Sequence, residues 1–155
     1  HDLFGMWGED IEHIYTVGGE GIFRFYNGKE FLRKDELTEE TISLFGVWGT
    51  TTDNVYVCGS HGIILHFDGE GWKTMKTETE EYLLSIWGTS DENIFVVGDN
   101  STMLHYDGRA WSKIDPIKEE YFTKVKGLGE DSVYVVGENG TVLRNDGKQW
   151  HDMSL

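Results

Sequence analysis

The chain of 155 residues carries 28 acidic against 13 basic side chains, a formal net charge of -15, which argues against a phosphate backbone or an anionic membrane surface as partner. At this length one domain can bury a core without staples, and a single cysteine permits no intrachain disulfide and says nothing of the compartment. Twenty glycines against one proline, with 14% aromatic residues, point to short strands joined by glycine-based turns.

In chain order the sequence is four copies of one unit, over about 3–42, 43–83, 84–122 and 123–155. The first holds Trp7-Gly8, the β-run Ile14-Tyr15-Thr16-Val17-Gly18, and Asn27-Gly28 followed by Phe31. The second repeats this as Trp48-Gly49, Val55-Tyr56-Val57-Cys58-Gly59, Asp68-Gly69 and Trp72. The third has Trp87-Gly88, Ile94-Phe95-Val96-Val97-Gly98, Asp107-Gly108 and Trp111. In the fourth, Leu128-Gly129 stands for the Trp-Gly pair with a turn two residues shorter, before Val133-Tyr134-Val135-Val136-Gly137, Asp146-Gly147 and Trp150. The glycines that close the β-runs are spaced by 41, 39 and 39 residues, the length of a four-stranded propeller blade.

Each unit reads as four strands. In the third copy these are Leu83 to Trp87, Ile94 to Val97, Thr102 to Tyr106, and one beginning near Trp111. The Asp-Gly or Asn-Gly pair between strands three and four marks a tight hairpin, because a type I′ turn needs positive φ at both central residues. The second strand is apolar at nearly every position, which predicts burial on both faces. Blades stacked around an axis supply that burial, so the expected fold is an all-β propeller of four tandem four-stranded antiparallel blades. It would form a four-bladed ring, part of a larger ring, or half of a ring completed by a second copy. The chain starts at strand one and ends after strand four, so no blade is expected to be shared between its ends.

The run from Trp87-Gly88 through Thr89-Ser90-Asp91-Glu92-Asn93 and Ile94 to Gly98, then Leu104-His105-Tyr106-Asp107-Gly108 and Trp111, resembles bacterial propeller repeats. Those repeats are grouped with the photosystem-assembly-factor and Asp-box (sialidase-like) superfamily. The resemblance covers all four copies. It implies a recognition scaffold with no catalytic residues to carry over.

No phosphate loop, Ser/His/Asp order or His-Glu-x-x-His pattern is present, so no catalytic residue, metal ligand or cofactor is assigned. His66 and His105 share a repeat position, but equivalent positions on neighbouring blades splay apart, whereas a metal needs three or four convergent ligands. Cys58 stands where other copies have valine and reads as a core residue. Asp53, Asp91 and Asp131 recur in the turn between strands one and two, a position that aspartate favours without any calcium.

Recognition is expected on the loops that vary over the repeating frame. The loops between strands two and three contribute Glu20, His61, Asp99, Asn100, Glu138 and Asn139. The linkers between blades add Glu36, Glu39, Glu40, Glu78, Glu80, Glu81, Glu119 and Glu120 on the same face. The leading expectation is a non-catalytic module that binds a protein partner through this acidic face. The alternative is a glycan-binding lectin using Trp7, Trp48 and Trp87 near the axis, or pockets between blades, although the favoured role of these tryptophans is aromatic packing between blades. A glycoside hydrolase comes third, since it would need two carboxylates about 5 to 9 Å apart in a pocket. No apolar run is long enough to insert in a membrane, and a chain beginning at His1 leaves localisation open.

Overall fold

The computed structural model describes residues 2–33 and 41–155, so Glu36, Glu39 and Glu40 of the expected acidic face lie outside the described residues. Among the described residues sixteen strands form four antiparallel sheets, each with its strands in sequence order. The first blade is β1 (Leu3–Gly8), β2 (Ile14–Gly18), β3 (Phe23–Tyr26) and β4 (Phe31–Arg33). The second is β5 (Leu44–Thr51), β6 (Asn54–Gly59), β7 (Ile64–Phe67) and β8 (Trp72–Met75). The third is β9 (Leu83–Ser90), β10 (Asn93–Gly98), β11 (Met103–Tyr106) and β12 (Trp111–Lys113). The fourth is β13 (Phe122–Gly129), β14 (Ser132–Gly137), β15 (Val142–Asn145) and β16 (Trp150–Asp152). The inner strands β1, β5, β9 and β13 pack on one another in that order, and the ring is not closed. This is the all-β architecture of four-stranded blades that the repeats predict.

Local chemistry makes each hairpin. Gly28, Gly69, Gly108 and Gly147 sit at φ between +83° and +87°, where a side chain would be strained. The Asn or Asp before each of them caps the turn. Asp107 Oδ1, for example, accepts from the amides of Arg109 and Ala110 at 2.9 and 3.0 Å. These amides, led by that of Ala110, hold the Asp107 carboxyl below the usual carboxylate range.

The core lies between blades rather than within them. Tyr15, Val17 and Phe23 of the first blade pack on Val47, Val55 and Leu65 of the second. Trp48, Tyr56 and Cys58 then meet Ile86, Ile94 and Leu104, and Phe95, Val97 and Met103 meet Val125, Val133 and Leu143. After their first residue β6 and β10 are buried throughout, as expected of strands covered on both faces. In β14 the burial alternates, and Val136 is 39% exposed where Cys58 is fully buried. The reason is geometric: no described residue covers the far side of the fourth blade. At the other end Thr16 and Arg24 of the first blade occupy the register of Val57 and Leu65, and Thr16 Oγ1 is buried without a partner.

Strand pairing corrects one reading of the fourth copy. Trp7, Trp48 and Trp87 lie opposite Tyr15, Tyr56 and Phe95, and the residue opposite Tyr134 is Lys126. The Trp-Gly pair is therefore replaced by Lys126-Gly127, not by Leu128-Gly129. The hairpin that follows has the same length as in blades two and three, since Gly129 pairs with Ser132 as Thr51 pairs with Asn54. Leu128 merely resembles the motif because a second glycine follows it.

Candidate functional site

The loops between second and third strands are held by one device in all four blades. Gly19, Ser60, Asp99 and Glu138 each donate a backbone N–H to the carbonyl of the residue just before the inner strand: Asp2, Ser43, Tyr82 and Tyr121. The chain then turns through the left-handed region at Glu20, His61, Asn100, Ser101 and Asn139, all with φ between +49° and +59°. A rigid frame thereby presents the predicted loop residues Glu20, His61, Asp99, Asn100, Glu138 and Asn139 beside the blade linkers.

Specific contacts tie loops to linkers across successive blades. Asn100 Nδ2 donates to Glu81 Oε2 at 2.8 Å, and Asn139 Nδ2 donates to Glu120 Oε2 at 3.0 Å. Two carboxylates are thus fixed at equivalent places on neighbouring blades. Asp99 sits near both Glu81 and Glu138, and its carboxyl is pushed up by partial burial and then by these two charges. A shallow hollow of about 290 Å³ lined by Asn100, Ser101, Glu120, Tyr121, Glu138 and Asn139 opens between the third and fourth blades. His61 stands apart from this cluster, edge-on to the Tyr82 ring at 5.8 Å, and lines a separate cleft of about 560 Å³ with Glu78 and Glu80.

Sequence reasoning missed the aromatic residues at this end. Phe4, Phe45 and Tyr82 step from blade to blade, with ring centroids 5.5 and 5.9 Å apart. Tyr82 and Tyr121 are 43% and 47% exposed next to Glu81 and Glu120. Their signal was an aromatic directly after a linker glutamate, visible in Glu81-Tyr82 and Glu120-Tyr121, yet outside the motifs that define the repeat.

The tryptophans of the inner strands β1, β5 and β9 are packed between blades. A Cβ on Gly49 would stand 3.0 Å from Trp7 Cη2, and one on Gly88 would stand 2.9 Å from Trp48 Cη2. Each indole lies across the glycine of the next blade, and Trp48 is only 8% exposed. A larger cleft, about 800 Å³, separates blades three and four on the opposite side, with Phe95, His105 and Trp150 among its walls and Glu92, Asp131 and Asp146 at its rim.

The fold is similar to that of YCF48. A structure of YCF48 bound to D1 peptide matches with a TM-score of 0.73 at 12% identity, covering 98% of this chain and 54% of that one. YCF48 from Cyanidioschyzon merolae gives 0.74 at 12%, covering 99% and 56%, and the RRP9 WD40 repeats give 0.72 at 11%, covering 97% and 52%. The chain spans about half the length of these structures. At such identities the likeness establishes the propeller fold alone. No family model and no curated protein matches the sequence.

The paired histidines each bond an asparagine of the neighbouring strand. His66 Nε2 lies 2.6 Å from Asn54 Oδ1 and His105 Nε2 lies 2.7 Å from Asn93 Oδ1, while each asparagine donates to a threonine, Thr50 or Thr89. The His66 ring stacks on Tyr56 at 4.1 Å and the His105 ring lies 4.8 Å from Phe95. Burial lowers the pKa of both, so the folded state favours neutral rings. Below the unfolded pKa of about 6.5 the unfolded chain binds more protons than the folded one, so stability is full above it and falls with pH through the lower folded value. Urea unfolding should therefore shift to lower denaturant between pH 7.5 and 5, and the double variant His66→Gln, His105→Gln should flatten that dependence. Cys58 is inert by the same physics, since full burial pushes its thiol up to about 12.

Proposed function

We propose that this propeller is a non-catalytic recognition module that docks a basic segment of a partner protein on the face carrying Glu81, Asp99, Glu120 and Glu138. One observation carries the reading. Two exposed tyrosines, Tyr82 and Tyr121, stand beside carboxylates that Asn100 and Asn139 hold in place. An arginine or lysine would gain both ion pairing and a ring face there, and the Asp99 carboxyl, raised by burial and then by Glu81 and Glu138, gains from an added cation. A propeller of similar fold is known with a bound peptide. Glu20 and His61 extend the same face toward the first two blades.

The test is fluorescence anisotropy with a labelled Arg- and Lys-rich peptide at low and high salt. Binding should weaken as salt rises, and Glu81→Lys with Glu138→Lys should lower affinity by about tenfold, or ~1.4 kcal/mol. Absence of binding at low salt would overturn the reading. A glycan ligand is the second reading, favoured by the cleft of about 800 Å³ that combines Trp150 and Phe95 with Asp131 and Asp146. A glycan array with a Trp150→Ala control separates the two. Sedimentation of the same sample reports whether a second copy completes the ring.

A further inference from the structure

Two clefts open where the outer strands of neighbouring blades meet, and they share a wall plan but not a charge. Between blades two and three a cleft of about 490 Å³ is bounded by His66 and Met75 from one blade and by Tyr106 and Trp111 from the next. In the cleft of about 800 Å³ between blades three and four the corresponding residues are His105, Ile114, Asn145 and Trp150. Strand register makes the correspondence: His66 pairs with Lys73 as His105 pairs with Ser112, and Tyr106 pairs with Trp111 as Asn145 pairs with Trp150. Glu92, Glu130, Asp131 and Asp146 ring the larger cleft, with Lys148 as the one ammonium among its described residues. The smaller cleft reverses this, setting Lys73, Lys76 and Arg109 against Glu78, the one carboxylate among its described residues. Blades two and three each have a described blade on both sides, so both walls of the smaller cleft are internal to the array.

The carboxylates of the two hairpin turns are already engaged. Asp68 takes the Lys73 ammonium and accepts the amides of Glu70 and Gly71 at 3.1 and 3.0 Å, and Asp107 accepts those of Arg109 and Ala110. Lys76 and Arg109 are exposed and form no ion pair among the described residues. The walls are aromatic. The Tyr106 and Trp111 ring centroids lie 5.2 Å apart, both side chains are half-buried, and Trp111 Nε1 donates to Met75 Sδ at 3.4 Å. A planar guanidinium binds a carboxylate through two parallel hydrogen bonds, and ring walls accept a flat apolar body. The volume suits one small molecule. In a chain of net charge -15, cations gathered at one cleft favour an anion that most of the surface repels.

We propose that the cleft between blades two and three binds a small aromatic carboxylate, its ring against Tyr106, Trp111 and Met75 and its carboxylate on Arg109 in the field of Lys73 and Lys76. Proton–nitrogen NMR of the whole chain, titrated with cinnamate and with its neutral counterpart cinnamamide, is the test. Cinnamate should shift the Trp111 Nε1–H and the Ala110 amide with a Kd at or below about 1 mM, and cinnamamide should bind at least about tenfold more weakly. Arg109→Gln should remove that preference and leave the thermal midpoint unchanged, since the side chain is exposed. The Trp150 Nε1–H is the internal control and should stay in place, because the carboxylates of the larger cleft repel the same ligand. Equal binding of the two compounds, equal shifts at Trp111 and Trp150, or a preference that survives Arg109→Gln overturns the proposal. So does a Trp111 signal that stays put at several times the expected Kd. The face of Glu81 and Glu138 carries neither Arg109 nor Trp111, so this proposal and the peptide-docking reading fail independently.

Discussion

Trp48→Ala should destabilise the protein by about 3–5 kcal/mol, the range for removing a buried indole from a core that cannot fully collapse around the gap. The indole is 8% exposed, its ring centroid lies 6.0 Å from that of Tyr56, and it covers Gly88 of the third blade. Its loss opens a void at the seam between blades two and three, where Ile86, Ile94 and Leu104 would lose their cover together. A domain of this size has a total stability of roughly 5–15 kcal/mol, so about a fifth or more would go. Equilibrium urea unfolding followed by circular dichroism checks this, with a lower midpoint and an unchanged slope as the expected result. Trp7→Ala should cost less, since Trp7 is only partly buried over Gly49. A loss below about 1 kcal/mol for Trp48→Ala would mean that the indole is not seated between blades.

Gly98→Ala should cost about 3 kcal/mol, at the upper end of overpacking penalties. The backbone of Gly98 is extended and free of torsional strain, so the effect is one of space. A Cβ there would overlap the carbonyl of Tyr82, the same group that accepts the Asp99 N–H and so anchors the loop. A carbonyl in that role cannot swing aside as a side chain could. The substitution should therefore loosen the loop carrying Asp99 and Asn100 as well as lower the unfolding midpoint. Hydrogen exchange at the Asp99 amide is the direct readout, and protection equal to that of the parent chain would contradict the close-approach argument. Gly71→Ala serves as the control, because nothing stands within 4 Å of its added carbon.

These two residues show where sequence reasoning reached and where it stopped. The closing glycines Gly18, Gly59, Gly98 and Gly137 were visible as a period, but their cause was not, because the carbonyls they make room for lie about 16 residues earlier, across the sheet. The tryptophans were read as residues near the axis with aromatic packing between blades as their role, and their fit over Gly49, Gly88 and Gly127 of the following blade is a contact between repeats. The fourth copy was read in the wrong register for the same reason. Leu128-Gly129 looks like the motif as a string, whereas pairing of Lys126 with Tyr134 is settled by the sheet.

The acidic loop residues were placed on one end from the repeat pattern, while the neighbouring tyrosines and the bonds from Asn100 and Asn139 were not foreseen. What the amino-acid order determines by itself is the repeating unit: apolar runs, Asp-Gly turns and their spacing are local, and local chemistry suffices to make a four-stranded blade. Only the tertiary structure decides which residues face the next blade, which carboxylates converge, and that the last blade carries Lys126 where the others carry tryptophan. Those are properties of one blade against another, and they depend on distances between residues some 40 positions apart in the chain.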